Sequence, residues 1–229
     1  MICQNTLDKC IFLNQSLIKN DLVKLTWGNA SIKKEGLIYI KPSGIPFNLL
    51  SKKNICVLKE NGELLQGKKP SVDLKIHLEI YKNFNSISSI IHTHSTYATA
   101  WAQAKMPIKL LGTTHADYYD GDIPVCEELE ENELDDYETN LGKKIVKWYK
   151  STDTDPLKIP SILIPSHGSV SFSNNPDHAL ECSIVLEEIA KIALYSFNIC
   201  GTIANSKNQN SLFKKHFERK NGFKKYYGQ

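Results

Sequence analysis

Apolar residues at Leu7, Ile11, Leu17 and Ile18 predict a first amphipathic helix ending before Asn20-Asp21. Residues 25–32 read as a strand broken at Gly28-Asn29, and residues 37–40, after Gly36, as a second strand ending at Lys41-Pro42-Ser43-Gly44. Residues 55–58 form a third, with the hairpin-type turn signal Asn61-Gly62 behind it. Pro70-Ser71-Val72-Asp73 looks like a helix start with Ser71 as its cap. Leu74, Ile76, Leu78, Ile80, Tyr81 and Phe84 follow, fitting a buried helical face only loosely. Ile90 and Ile91 lead a short buried strand into His92-Thr93-His94, and Ser95 can cap an alanine-rich helix over 96–104. A short strand is expected over 108–111, and an acidic stretch over 127–138 passes into a helix around 141–149. Strands over 162–164 and 169–172 flank His167-Gly168, and Asn174-Asn175-Pro176 turns into a long helix over 177–197. That helix carries Ala179, Cys182, Val185, Leu186, Ile189, Ile192 and Ala193 on its apolar faces. A polar linker over 205–210 leads to a final helix and the ending Tyr226-Tyr227-Gly228-Gln229.

Strands cluster early and helices late. That order predicts a single three-layer α/β/α domain over 1–229 with a mixed, mainly antiparallel central sheet. A chain of 229 residues supports one substantial core, and 41% hydrophobic with 23% charged residues is ordinary globular composition. The net charge of +3 is weak and its basic residues scattered, which argues against a nucleic-acid stripe. The N-terminus has no charged segment followed by a sustained apolar run, and no stretch has the length of a membrane span. Six widely spaced cysteines without a Cys-x-x-Cys pair fit a reducing, cytoplasmic setting. Of 28 basic residues only Arg219 is arginine, which reads either as a position where a planar fork is needed or as one arginine left by drift.

Alternate residues of a strand share a face, so His92 and His94 can reach one point. A catalytic zinc uses three protein ligands and keeps one position open, and His167 is the third candidate. Taken alone, His-x-His reads equally as a metal pair or as a strand end with one ring buried and one solvated. Asp73 can ligate a metal or complement the dipole of the helix it begins. Gly28-Asn29, Lys41, Ser43-Gly44 and Ser71 can hold a phosphate through backbone donors and a helix N-terminus, or be ordinary turns. Asp117, crowded by His115, Tyr118 and Tyr119, can act as an acid or base; Tyr227 can do so only if the tail is docked.

Thr-Trp-Gly-Asn-Ala-Ser, Lys-Pro-Ser-Gly, Pro-Ser-x-Asp, Ile-His-Thr-His, Gly-Thr-Thr-His-Ala-Asp-Tyr and Ser-His-Gly occur in that order. The chain ends Lys-His-Phe-x-Arg-Lys-x-Gly-x-x-x-Tyr-Tyr-Gly-Gln. From about Leu22 to Gln229 the chain thus resembles the class II aldolase and epimerase family. Thr-Thr-His-Ala-Asp-Tyr and the Tyr-Tyr-Gly-Gln ending are more specific to its L-ribulose-5-phosphate 4-epimerase branch. The resemblance implies a metal-dependent isomerase that interconverts L-ribulose 5-phosphate and D-xylulose 5-phosphate, in arabinose or ascorbate breakdown. Retro-aldol cleavage between C3 and C4, rotation of the aldehyde and re-addition would invert C4. Zinc or another divalent metal, one per subunit, would sit on His92, His94 and His167, with Asp73 a weaker fourth candidate. Gly28, Asn29, Ser43, Gly44 and Ser71 would line the phosphate pocket with Lys41 nearby. Asp117 and Tyr227 would be the acid/base pair, supported by Glu138, His216 and Arg219. The pair would come from the neighbouring subunit of a homotetramer, with the tail over about 205–229 docked across the interface. Val72 stands where the family commonly has a second serine, which removes a hydroxyl and leaves the Val72 N–H. The nearest alternative is a class II aldolase that releases its products, such as one for L-fuculose 1-phosphate. A non-catalytic module like the adducin head is the other, and it would be marked by loss of the metal histidines.

Overall fold

The structure is a computed structural model that describes residues 2–201, 210–223 and 225–227. Seven strands form one sheet: β1 (Asn29–Lys34), β2 (Leu37–Ile40), β3 (Cys56–Lys59), β4 (Leu64–Gln66), β5 (Ser89–Thr93), β6 (Ser161–Ile164) and β7 (Gly168–Ser173). Their order is β4-β3-β2-β1-β5-β7-β6, and every neighbouring pair is antiparallel. Among the described residues the expected mixed character reduces to one isolated parallel bridge, Val125 to Leu163 of β6.

Strand alternation distributes the core to both faces of the sheet. Ile38, Ile90, Ile162, Ile164, Val170 and Phe172 face α2 (Leu74–Asn83) and α5 (Tyr137–Ser151). On the opposite face, Ala30, Ile32, Tyr39, Val57 and Ile91 pack on α1 (Gln4–Lys19). Leu163 there meets α3 (Thr96–Gln103) and the long α6 (Pro176–Cys200). The remaining α-helices among the described residues are the single turn α4 (Thr113–Ala116) and α7 (Asn210–Asn221). This is the expected three-layer arrangement.

Several local expectations change. Residues 25 and 26 lie in a turn, with Leu25 in the left-handed region at a φ of 51°, so β1 starts only at Asn29. Residues 108–111 form no strand; Ile108 alone bridges to Ile123. Asp73, not Ser71, stands at the N-cap of α2, and its side chain caps no N–H. Ser95 does occupy the N-cap of α3, but without a side-chain bond. The Glu187 carboxylate of α6 takes its place, accepting from Tyr97 N at 2.8 Å and Ala98 N at 2.9 Å. The hairpin at Asn61-Gly62 is present and leads into β4, which the sequence pattern did not reveal. The polar linker over 205–210 lies outside the described residues except for the start of α7, as do Gly228 and Gln229.

Candidate metal centre and the Asp117 cluster

His92 is the penultimate residue of β5, which is buried throughout, and His94 falls one residue beyond the strand. His167 enters from the turn between β6 and β7, where Ser166 has a φ of 58°. The three rings form a nearly equilateral triangle, with centroids 4.8, 4.9 and 4.8 Å apart and steep mutual tilts. Their ligating nitrogens all lie within 4.8 Å of one another, a group that could hold a metal ion. Close backbone approach makes this possible. A Cβ on Gly168 would stand 2.5 Å from the Thr93 carbonyl, and one on Gly28, at a φ of +76°, would stand 2.7 Å from the His92 carbonyl.

The donor set fits a divalent transition metal. Burial, followed by the charge of neighbouring imidazoles, pushes His94 and His167 down to about 4, so both carry free lone pairs at neutral pH. His92 Nδ1 pairs with the Ser169 carbonyl at 3.0 Å, which leaves its Nε2 to point at His94 Nε2, 2.9 Å away. His167 Nδ1 pairs with Tyr137 OH at 2.9 Å, and the two rings stack at 18°. Outer partners of this kind fix ring orientation at metal sites. Tyr137 was not singled out by the sequence; its one signal is a place beside Glu138 in the acidic stretch.

The histidines open into a cavity of about 380 Å³ whose lining includes Gly28, Lys41, Ser43, Gly44, Ser71 and Val72. Asp73, Glu138 and Tyr137 also line it, as does Trp27, which is tilted against His94 at 6.4 Å and is a second residue the sequence reading passed over. Asn29 lies behind the wall, with Nδ2 donating to Ser71 Oγ at 3.0 Å and Asp73 Oδ2 at 2.7 Å. Burial works against the Asp73 charge, but His92, His77, His167 and the Ser71 hydroxyl hold its pKa below the usual value. The Asp73 carboxylate stands outside the compact histidine group.

Lys41 is buried, and its Nζ faces only carbonyls, Thr26 at 3.4 Å and Pro42 at 3.3 Å, with the Phe47 ring 4.7 Å away. Desolvation lowers its pKa, partly offset by Asp73. Among the described residues Lys41 has no ion pair, only the more distant influence of Asp73, and an anion in the cavity would supply one. The N–H groups of Ser43 and Ser71 already donate to the carbonyls of Lys69 and Lys41. What the wall offers an anion is therefore the Ser43 hydroxyl, the N–H groups of Gly44 and Val72, and the Ser71 hydroxyl once it turns from Asp73 Oδ2, to which it donates at 3.3 Å.

Asp117, His216, Arg219 and Tyr227 come together elsewhere. Arg219 Nε and Nη2 grip the two Asp117 oxygens at 3.0 and 2.8 Å, and His216 Nδ1 lies 3.1 Å from Oδ1. Asn221 Nδ2 donates to the Asp117 carbonyl at 2.8 Å, and the guanidinium lies 4.1 Å from the centre of the Tyr227 ring. The lone arginine thus makes the forked pair its chemistry suits. The described part of the tail contacts the end of its own chain's α4. None of the four residues lines the histidine cavity, whereas Glu138, expected to support them, does. His115, beside Asp117, is buried and pairs through Nε2 with the Gly121 carbonyl at 3.0 Å.

This fold and this histidine arrangement belong to a defined class. Residues 9–194 match the family model described as "Class II Aldolase and Adducin N-terminal domain", and the chain belongs to that family. Among solved structures it is similar to an L-fuculose 1-phosphate aldolase, 26% identical with a TM-score of 0.81, covering 95% of this chain and 98% of that one. A sugar-phosphate aldolase from Thermotoga maritima is 22% identical with a TM-score of 0.65, covering 88% of this chain and 98% of that one. YgbL from Escherichia coli is 18% identical with a TM-score of 0.72, covering 92% of this chain and 98% of that one. The last two likenesses concern the fold. All six cysteines are free, and among the described residues no helix is long and apolar enough to cross a membrane.

Proposed function

We propose that this protein is a divalent-metal-dependent L-ribulose-5-phosphate 4-epimerase, interconverting L-ribulose 5-phosphate and D-xylulose 5-phosphate. The observation that carries the reading is one cavity lined by both His94 and His167 of the imidazole triangle and by buried Lys41 with Ser43 and Ser71. Such a lining suits a substrate with a phosphate at one end and a carbonyl to polarise at the other. His92, His94 and His167 would hold the ion, zinc or another divalent metal, with Asp73 as the fourth candidate. When bound, it supplies Lewis-acid stabilisation of the charge that C3–C4 cleavage leaves on the ketose fragment.

The chain's own groups do the rest. Lys41, the Ser43 and Ser71 hydroxyls and the Gly44 and Val72 N–H groups anchor the phosphate while the aldehyde end turns over. Inverting C4 requires a proton moved on or off its oxygen on each face in turn. Asp117 and Tyr227 fit that task, the first oriented by Arg219 and His216, the second held over the guanidinium. Both stand away from their own chain's cavity, which supports an oligomer, a homotetramer in this reading, where they serve a neighbour's metal centre.

The similarity to an L-fuculose 1-phosphate aldolase favours a second reading, cleavage with release of products. The intact histidine triangle weighs against a non-catalytic adducin-head-like module. Incubating the metal-loaded protein with L-ribulose 5-phosphate separates the first two. The epimerase forms D-xylulose 5-phosphate without free dihydroxyacetone, and His94→Asn forms neither. Release of dihydroxyacetone phosphate and a three-carbon aldehyde from L-fuculose 1-phosphate, with no xylulose 5-phosphate formed from L-ribulose 5-phosphate, would replace the epimerase with the aldolase.

A further inference from the structure

Behind the cavity wall, where β1 meets α2, polar side chains are buried in a row. Tyr81 OH lies 2.8 Å from Ser31 Oγ, which lies 2.7 Å from His77 Nδ1. His77 and Ser31 are each 0% exposed. The other ring nitrogen, His77 Nε2, is buried and has no hydrogen-bond partner among the described residues, and the same holds for Asn29 Oδ1. Asn29 and Ser31 are two apart on β1, so both face α2. His77 follows Asp73 by one helical turn and shares its side of α2. The two unpartnered atoms therefore belong to neighbouring side chains in one buried seam.

Leaving both atoms unpaired is costly, and a single water placed between them would resolve both at once. It can accept from or donate to Nε2, whichever tautomer the Ser31 bond selects, and it donates to Oδ1. Burial holds His77 neutral, its pKa pushed down to about 3, so the ring takes part as an uncharged partner. Satisfying Oδ1 matters for the cavity. Asn29 Nδ2 holds Ser71 Oγ and Asp73 Oδ2, and a flipped amide would set its oxygen against the Asp73 carboxylate.

We propose that His77 is a positioning residue for the anion-binding wall: through one buried water it fixes the Asn29 amide in the orientation that holds Ser71 and Asp73 in place. This rests on the reading of the cavity as a phosphate site. The variants that test it are His77→Gln, whose amide reaches the position of Nε2, and His77→Asn, whose amide reaches only that of Nδ1. Each metal-loaded full-length protein is titrated calorimetrically with inorganic phosphate, and its metal content and KM for L-ribulose 5-phosphate are measured. Glutamine should bind phosphate like the wild type. Asparagine should bind about tenfold more weakly and raise KM to match, with kcat and metal content kept. Equal phosphate affinity in all three, with only thermal stability lowered, would overturn the proposal. So would metal loss in His77→Asn, which would place the effect on His92 instead. If the wild type itself binds no phosphate, the phosphate reading of the cavity fails and this inference fails with it.

Discussion

Val72 lines the cavity beside Ser71 and Gly44 and is 57% exposed, an apolar side chain on a wall otherwise offering donors. Replacing it with serine adds a hydroxyl for an anion, a charge-assisted bond of about 1.5–3 kcal/mol at most. Val72→Ser should therefore lower KM for the phosphorylated substrate and leave kcat near its original value. An unchanged or raised KM would mean that the hydroxyls and free N–H groups already saturate the phosphate. His115 allows a prediction away from the metal. Burial pushes its pKa from 6.5 to about 4, against the opposing effect of its bond to Gly121. The unfolded chain takes up that proton first as pH falls, so the contribution of neutral His115 is complete above about 6.5 and is lost towards 4. The shift corresponds to about 3 kcal/mol. Urea unfolding of metal-free wild type and His115→Gln should give stability curves that converge across this window; parallel curves would refute it. At this scale the clustering of His92 and His94 was legible because imidazole spacing on a strand implies convergence. Tyr137 and Trp27 were not, since an aromatic side chain in a sequence carries no mark of which ring it will touch.

A helix end needs acceptors for its first N–H groups, but they need not come from its own sequence. Ser95 looked like the cap of α3, yet its buried hydroxyl has no partner among the described residues, and Glu187 from α6 accepts both N–H bonds. Ser95→Ala should then be nearly neutral in stability. Glu187→Ala should cost about 1–3 kcal/mol, because two charge-assisted bonds to backbone N–H groups go with it. Denaturant unfolding of the two variants checks the order, and a larger loss in Ser95→Ala would reverse the assignment. Elements read from apolar periodicity survive best: α1, α6 and the strands β2, β5 and β7 lie where the pattern put them. The misses have physical reasons. Residues 108–111 carry strand-like side chains but meet only one bridging partner, and pairing is a tertiary fact. The strand β4 is three residues long with Leu64 and Leu65 substantially exposed, too short and too wet to show an alternating pattern.

At the scale of the whole molecule, the motifs resolve into two separate clusters, and no linear reading could show that. His94 and His167, two of the three clustered imidazoles, share one cavity with Lys41, Ser43 and Ser71, while Asp117 at the end of α4, His216 and Arg219 on α7 and Tyr227 beyond it assemble outside its lining. Arg219 pins the tail to Asp117 of its own chain, so the tyrosine and the carboxylate travel as a unit. Phe213 is buried, which gives α7 an apolar anchor for that docking. Tyr227 is half exposed and Phe223 fully so, in keeping with a surface turned outwards. If the unit serves the metal centre of an adjacent subunit, two inactive variants must complement. His94→Asn removes a metal ligand and leaves the Asp117 cluster intact; Tyr227→Phe does the reverse. Dissociated, mixed and reassembled, they form some interfaces that pair an intact metal centre with an intact tyrosine. For random pairing about a quarter of the sites are whole, so epimerase activity should recover to about that fraction of the wild type. Subunit exchange is verified separately by a mass tag on one variant. Exchange without recovery would place Tyr227 outside any site shared between subunits.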